Sequence, residues 1–452
     1  MNSLKEVLKE LAINVEKVID EGLCNGKIQS DAEVYFRWKV DKFKYTDKGI
    51  TESSARGESI SRPTWLRTSS ELHESLRKSS AYASALEQVI AVFPKSDKIT
   101  RGIESFLSKL IHNRLNESQF DEAGTDNLIN TLIKELNEEP VRYGAEIELK
   151  GIVLQPERID IVSGATIRQP KIEDIEKETP RSILGGHFLP QPSAILNIEF
   201  LGRHANEIQK KVEQAIAILR LFRVGGVSYE SYRLYSDSII DLMASGTVAF
   251  TNTFTALETY LVNIGDEARL KKFWQKMADS LPKSFFDKGI AKTDYTTIAY
   301  NRYCDALLHN GILERRISNA VMGLEALFFK PDGEMQELAY RLRIRISKLL
   351  GLFGYDAHEA KQKIDDAYGI RSTFLHGGHL DYKKTKKLEL KYKDSKTLLL
   401  SILDYLRISI IVNILIPKEK DEFIDLIDDS LIDRKKEEQL MSLLSWTKEF
   451  VG

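Results

Sequence analysis

The sequence predicts a mostly α-helical chain with a small α+β module in its middle and a helical bundle toward its C-terminal end. Three observations carry this prediction. Apolar residues recur at helical spacing over long stretches before residue 138 and again after residue 291. Around Val141–Leu154 and Ala194–Leu201 the period drops to two, as a half-buried strand requires. The segment Leu398–Pro417 is the most apolar in the chain, yet it carries Asp404 and Arg407, so it reads as a buried helix and not a membrane span.

Taken in order, residues 1–138 read as an N-terminal helical region. A first helix is expected to run to about residue 45, with Tyr35, Trp38 and Phe43 as its anchors. Between Thr46 and Ser70 Gly, Ser, Thr and Arg dominate and Pro63 interrupts, so 46–70 reads as a linker. Helical patterning resumes from Glu71 to about Leu136, with Leu86, Val89, Ile90 and Phe93 on one face.

Residues 139–230 form the α+β module. Ala145, Ile147 and Leu149 alternate with Glu146, Glu148 and Lys150, and Gly151 marks a bulge before Ile152 and Leu154. Ile159, Ile161 and Ile167 suggest a partner strand, and 169–182, with Pro170 and Pro180, a long connection. Asn206–Val224 is a helix with Ile208, Val212, Ile216 and Leu219 on its apolar face, closed by Gly225-Gly226. Tyr229, Tyr232 and Tyr235 then lead into a helical connector over 231–290. Residues 291–420 form the helical domain, and 421–452 are acidic C-terminal helices.

Composition bounds the function. The chain has 452 residues, enough for two or three domains, and a net charge of −2, which does not by itself point to nucleic acid. Charge is unevenly spread: Ala339–Lys393 holds 13 Lys or Arg against 6 Asp or Glu, whereas Asp421–Glu438 holds 8 acidic against 3 basic residues. That arrangement permits an anionic ligand at the basic stretch, beside an acidic tail that is solvated or masks it. Cys24 and Cys304 fit no metal or redox spacing and suit a reduced compartment. The first residues, Leu4, Val7, Leu8 and Leu11, form an amphipathic run and not a basic leader, so a cytoplasmic location without membrane contact is expected. P-loop, GxGxxG, HExxH and paired CxxC signatures do not occur, and neither a metal nor a cofactor is expected.

Four Arg/His pairs stand with four to six residues between them: Arg67/His73, Arg181/His187, Arg302/His309 and Arg371/His376. Their surroundings single out the last. Leu324-Glu325-Ala326-Leu327 closes one helical pattern. Tyr340-Arg341-Leu342, with Arg345 ahead of Leu349-Leu350-Gly351, forms a second, whose core face is Leu338, Leu342, Ile346 and Leu349 and whose stop is Gly351. Tyr368-x-x-Arg371-Ser372 with His376-Gly377 ends a third that begins near Ala357, and a fourth spans about Ser395–Ile416. In this order and spacing, residues 294–416 resemble a HEPN domain of the Apea-like HEPN group. The bundle is then a HEPN-type helical bundle.

The resemblance implies metal-independent RNA cleavage. Such chemistry uses the ribose 2′-OH as an internal nucleophile and needs a proton carrier and a cation for the phosphate. Histidine, titrating near neutrality, suits the first role and arginine the second. His376 is thus the expected acid/base and Arg371 the phosphate clamp, with 2′,3′-cyclic phosphate and 5′-OH ends as products. Arg341, Arg345 and Ser372 are the expected nucleic-acid contacts. His379, Lys383, Lys384, Lys386 and Lys387 read as a solvated rim. Five residues apart on a regular helix are separated by about 140°. Either the Gly377-Gly378 pair distorts the last turn, or the arginine of one protomer meets the histidine of another. A homodimer with a composite site is expected, acting on RNA such as tRNA, in bacterial anti-phage defence with a phage-derived or antitoxin trigger. Two other readings stand beside it: a non-catalytic HEPN scaffold or ligand-sensing interaction protein, and the toxin half of a HEPN/nucleotidyltransferase pair.

Overall fold

Helix α1 (Asn2–Cys24) buries Leu4, Leu8, Leu11, Val15 and Ile19, a stripe at spacings of three and four, and so has one face for a core. That core is completed by α2 (Leu66–Leu76), α3 (Ser80–Val92), α4 (Ile99–Asn116) and α5 (Glu122–Leu136). Ser79 caps α3 by accepting the Tyr82 N–H at 3.2 Å. The structure, a computed structural model, describes residues 2–94, 98–116, 122–176, 179–180, 192–241, 246–249, 259–286, 294–308, 311–330, 337–378, 382–445 and 447–451.

Residues 31–64 correct the sequence reading. They form neither the end of a helix nor a linker, but a long antiparallel hairpin, β1 (Asp31–Thr46) and β2 (Gly49–Thr64). Helix α1 stops at Cys24, and Gly26 takes φ +70°, a left-handed conformation suited to glycine. Tyr35, Phe36, Trp38, Val40, Phe43 and Tyr45 are strand formers, and the small polar residues of β2 are their cross-strand partners. Phe36 and Trp38 lie over Gly57, where a Cβ would come within 2.6 Å of the Phe36 ring. Gly49, at φ +89°, closes the turn, with Thr46 Oγ1 donating to its carbonyl at 3.3 Å. The hairpin is held from outside. Tyr45 Oη donates to the Ser193 carbonyl at 3.1 Å and accepts the Leu154 N–H at 2.9 Å, while the Val40 N–H donates to Glu176 at 2.7 Å.

The middle module is larger than its strand signals suggest. Its strands are β3 (Val141–Lys150), β4 (Ile152–Leu154), β5 (Arg158–Val162) and β6 (Ala165–Arg168). After the short α6 (Ile172–Ile175) and β7 (Thr179–Pro180), which pairs with β1, come β8 (Ala194–Gly202), helix α7 (Asn206–Phe222), β9 (Ser228–Ser236), β10 (Gly246–Ala249) and β11 (Tyr260–Val262). Six of them make one antiparallel sheet in the order β10-β9-β3-β8-β6-β5. Gly151, at φ +73°, is not the expected bulge within a strand but the break at which the chain leaves the six-stranded sheet, β4 pairing instead with β11; the register shift on β3 lies at Glu148/Leu149. β5 and β6 pair with each other, and β6 reaches β8, not β3. The expected helical connector over 231–290 is the second correction. Its described residues continue β9 to Ser236, add β10 and β11, and contain one α-helix of more than one turn, α8 (Glu267–Ser280). The tyrosines at 229, 232 and 235 are therefore strand residues.

Helix α7 lays Ile208, Val212, Ile216 and Leu219 into the core as its spacing requires. Its last carbonyls, which a helix end leaves unpaired, are all met by side chains from elsewhere in the chain. Tyr260 Oη donates to Leu219 at 2.9 Å, Tyr303 Oη to Arg220 at 2.9 Å, and Arg407 Nη1 to Leu221 and Phe222 at 3.0 and 3.2 Å. One hydrophobic core consequently runs from Val141 to Phe450 without a break between the sheet and the C-terminal helices. A boundary drawn between 139–230 and 291–420 has no counterpart in packing.

The C-terminal helices are α9 (Tyr295–Leu308), α10 (Leu313–Phe328), α11 (Leu338–Leu352), α12 (Ala357–Leu375), α13 (Tyr382–Tyr392), α14 (Ser395–Leu415), α15 (Lys420–Asp429), α16 (Arg434–Leu444) and α17 (Lys448–Val451). Helix α11 ends at Leu352, one residue past Gly351, the glycine expected to stop it; Phe353 is its C-cap and Gly354, at φ +90°, turns the chain away. Helix α14 is long and apolar enough to cross a membrane by composition, but most of it is buried among the other helices. Its Asp404 and Arg407 pair with each other at 2.8 Å.

Candidate functional site

The Arg-His stretch lies at the end of α12. Asp356 starts that helix by accepting the N–H groups of His358 and Glu359 at 2.8 and 3.0 Å. Ala360, Ile364, Ala367 and Ile370 bury its inner face. The helix stays regular through Leu375 and closes with a Schellman turn. Gly377 N–H donates to the Phe374 carbonyl at 3.0 Å and Gly378 N–H to Thr373 at 2.9 Å, with Gly377 at φ +74°. The glycine pair therefore ends the helix after His376 and does not distort the turn between His376 and Arg371. Within one chain the two side chains stay on different faces, about 140° apart by helical period.

Arg371 points toward α10. Its Nη2 donates to Glu325 Oε2 at 2.8 Å, and its guanidinium lies 5.6 Å from the centre of the Tyr368 ring. The pair is largely enclosed, with side chains 24% and 13% exposed for Arg371 and Glu325. Burial pushes the Glu325 carboxyl above its ordinary range, and the Arg371 charge only partly opposes this. Burial likewise raises the Tyr368 phenol. Arg371 Nε is buried and, among the described residues, has no hydrogen-bond partner. His376 is the C-cap residue and is exposed. Ser372 is half-buried and follows Arg371 on the adjoining face.

The two remaining expected nucleic-acid contacts part company. Arg341 is half-buried on α11. Arg345 is corrected: its side chain is 1% exposed and cannot reach a bound RNA. It donates to both oxygens of Asp428 at 2.9 and 2.7 Å and to the Phe328 carbonyl at 2.7 Å, joining α11 to α15 and to the end of α10. Four residues on from Arg341, it sits on the buried side of the stripe that sequence spacing treats as a margin.

The acidic tail meets two cations of the basic stretch, Arg345 and Lys348, and Lys330 ahead of it. Asp425 pairs with Lys330 at 2.5 Å, Asp428 with Arg345, and Glu437 with Lys348 at 2.5 Å. Asp365 meets Arg343, while Asp366 takes Lys391 at 2.5 Å and the Tyr392 hydroxyl. The tail, expected to be solvated or to mask the basic stretch, does some of each: Asp428 and Glu437 pair with cations of that stretch, whereas Asp421, Glu422, Asp429, Asp433 and Glu438 are exposed. Lys386 and Lys387 are exposed, whereas His379 and the side chains of Lys383 and Lys384 lie outside the described residues. Of the other Arg/His pairs, Arg302 bonds Asn319 at 3.2 Å and His73 bonds the Glu104 carbonyl at 3.1 Å. His309, Arg181, His187 and the Arg67 side chain lie outside the described residues.

Of the three carboxylates the sequence offers as structural partners for Arg371, namely Asp365, Asp366 and Glu325, it is Glu325 that pairs with it. Its place at the end of an apolar stripe was the available signal. No family model, curated protein or solved structure matches the chain.

Proposed function

We propose that this chain is a HEPN-type, metal-independent endoribonuclease that works as a cytoplasmic homodimer, in bacterial defence against phage. The observation that supports this is the end of α12. A half-buried carboxylate, Glu325, orients Arg371 at 2.8 Å, and a Schellman turn sets an exposed His376 on the helix terminus. Two copies of that terminus, facing one another, would bring one protomer's guanidinium to the other's imidazole across a phosphodiester.

In that arrangement Arg371 neutralises the charge that builds on the phosphate as the 2′-OH attacks. His376 moves the proton from the 2′-OH or to the departing 5′-oxygen. Glu325 keeps Arg371 from collapsing onto other acceptors. Residues before 290 would sense a phage-derived or antitoxin trigger and hold the nuclease in check.

The test is cleavage of total RNA or tRNA by purified protein in EDTA. Products should carry 2′,3′-cyclic phosphate and 5′-OH ends, and Arg371→Ala or His376→Ala should abolish them while light scattering still reports a dimer. Cleavage that survives both substitutions rejects the site. A second reading, a non-catalytic HEPN scaffold, is favoured by one observation: within the basic stretch Arg343, Arg345, Lys348, Lys363, Arg371 and Lys391 are all held by carboxylates of the same chain. A dimer that cleaves no RNA under any condition would select it.

A further inference from the structure

A groove of about 370 Å³ runs between α12 and α13, lined by Asp365, Asp366, Gly369, Ile370, Ser372, Thr373, Lys387, Leu388 and Lys391. Its floor is apolar, made by Ile370 and Leu388, which are 3% and 9% exposed. Its carboxylates are already neutralised. Asp365 is paired with Arg343, and Asp366 with Lys391 and the Tyr392 hydroxyl. The Thr373 hydroxyl is also committed, donating to the Gly369 carbonyl at 3.0 Å. What the groove offers a ligand is an apolar floor, the Ser372 hydroxyl on its wall, and at its rim Lys387, which is exposed and has no ion-pair partner among the described residues.

Gly369 decides the shape. It lies inside α12, where glycine costs about 1 kcal/mol relative to alanine. No atom stands within 4 Å of the Cβ it lacks, so a side chain here would occupy the groove and not the core. By helical period the position of His376, seven residues on, continues the face of Gly369, and Ser372 adjoins Arg371. The distance along the axis from Gly369 to His376 is about 10 Å, at 1.5 Å per residue. That is roughly three stacked nucleotide steps at 3.4 Å each.

We propose that this groove is the base-binding subsite of the ribonuclease centre. It takes one unstacked nucleotide of single-stranded RNA, with the base on Ile370 and Leu388 and its phosphate on Lys387. The volume lies at the lower end of ligand pockets, about 300–1,000 Å³. An apolar floor with one free cation suits a planar base carrying one anionic group, and recognition of splayed-out bases is the usual way a protein reads RNA. The proposal rests on the ribonuclease reading, and its test separates the two.

Full-length protein carrying His376→Ala, so that substrate survives, is titrated with a fluorescein-labelled single-stranded oligoribonucleotide. Gly369→Phe should weaken binding about tenfold or more, and Gly369→Ala by less, in step with the volume each places in the groove. Lys387→Gln should weaken binding and reduce the salt dependence by about one phosphate contact, a slope of roughly 0.7. Circular dichroism and thermal melting check that each variant folds. Binding unchanged by Gly369→Phe in a folded protein overturns the proposal, as does wild-type cleavage efficiency when Gly369→Phe is made with His376 intact; in that case the ribonuclease reading stands. Groove-dependent binding by a protein that never cleaves RNA upholds the groove and removes the ribonuclease reading.

Discussion

Arg345 and Asp428 form a pair in which the more buried partner is the safer one to remove. Arg345 is 1% exposed and Asp428 40% exposed. Replacing Asp428 with Asn keeps the shape but leaves a guanidinium inside the protein without its carboxylate. Breaking a buried pair in this direction costs about 3–5 kcal/mol, and partial exposure of Asp428 places this case near the lower end. Replacing Arg345 with Met instead fills the space with apolar volume and leaves a carboxylate that water reaches. The remaining loss is the bond to the Phe328 carbonyl, about 1 kcal/mol net. Native-state hydrogen exchange read by mass spectrometry on α11 and α15 reports both openings. At about 1.4 kcal/mol per tenfold, Asp428→Asn should accelerate exchange there roughly 150-fold and Arg345→Met about fivefold. If Arg345→Met opens these helices more than Asp428→Asn, the buried-cation argument is wrong. RNA binding should survive Arg345→Met, since no surface contact is lost.

Other consequences follow from the same geometry. Arg407→Met strips the Leu221 and Phe222 carbonyls of their donor and should destabilise the joined sheet and bundle by roughly 3 kcal/mol, measured by urea unfolding. Gly377→Ala forces φ +74° on a residue with a Cβ and should cost about 1 kcal/mol while displacing His376, so cleavage falls more than stability does. Tyr45→Phe removes two hydrogen bonds at the hairpin tip and should raise exchange in β1 and β2 without loosening α1. Burial raises the Glu325 carboxyl above 4.5, so the folded chain holds that proton more tightly than the unfolded chain. This group's favourable contribution is therefore full at low pH and is lost as pH rises through the raised value. The stability gap between Glu325→Gln and the parent protein should change across that window and flatten below the ordinary carboxylate range.

The sequence was most legible where one face of a helix had to be buried. Ile208, Val212, Ile216 and Leu219 on α7, and Leu342, Ile346 and Leu349 on α11, are all in the core, because a period near 3.6 leaves no other face for them, whereas Leu338, the first residue of α11, is only half-buried. Asp404 and Arg407 within an apolar run correctly argued for a buried helix, although only the structure shows Arg407 capping α7. The hairpin was illegible for a physical reason. Its strands are half-exposed on both sides, so β2 shows little apolar alternation and reads as a polar linker. Arg345 was misread because sequence spacing places a residue on a face without saying how deep the neighbouring helix sits. Asp428, which pairs with it, lies 83 residues away. Glu325 and Arg371, 46 residues apart, meet for the same nonlocal reason.

The central claim is that Arg371 and His376 act in trans. Mixing Arg371→Ala protein with His376→Ala protein, after a dissociation step that allows protomers to exchange, tests it directly. Neither parent should cleave RNA. Half of the redistributed dimers are mixed, and each then holds one intact site of two, so about a quarter of wild-type cleavage should return. If mass spectrometry shows the mixed dimer and cleavage stays at the level of the inactive parents, the two residues do not share a site across protomers.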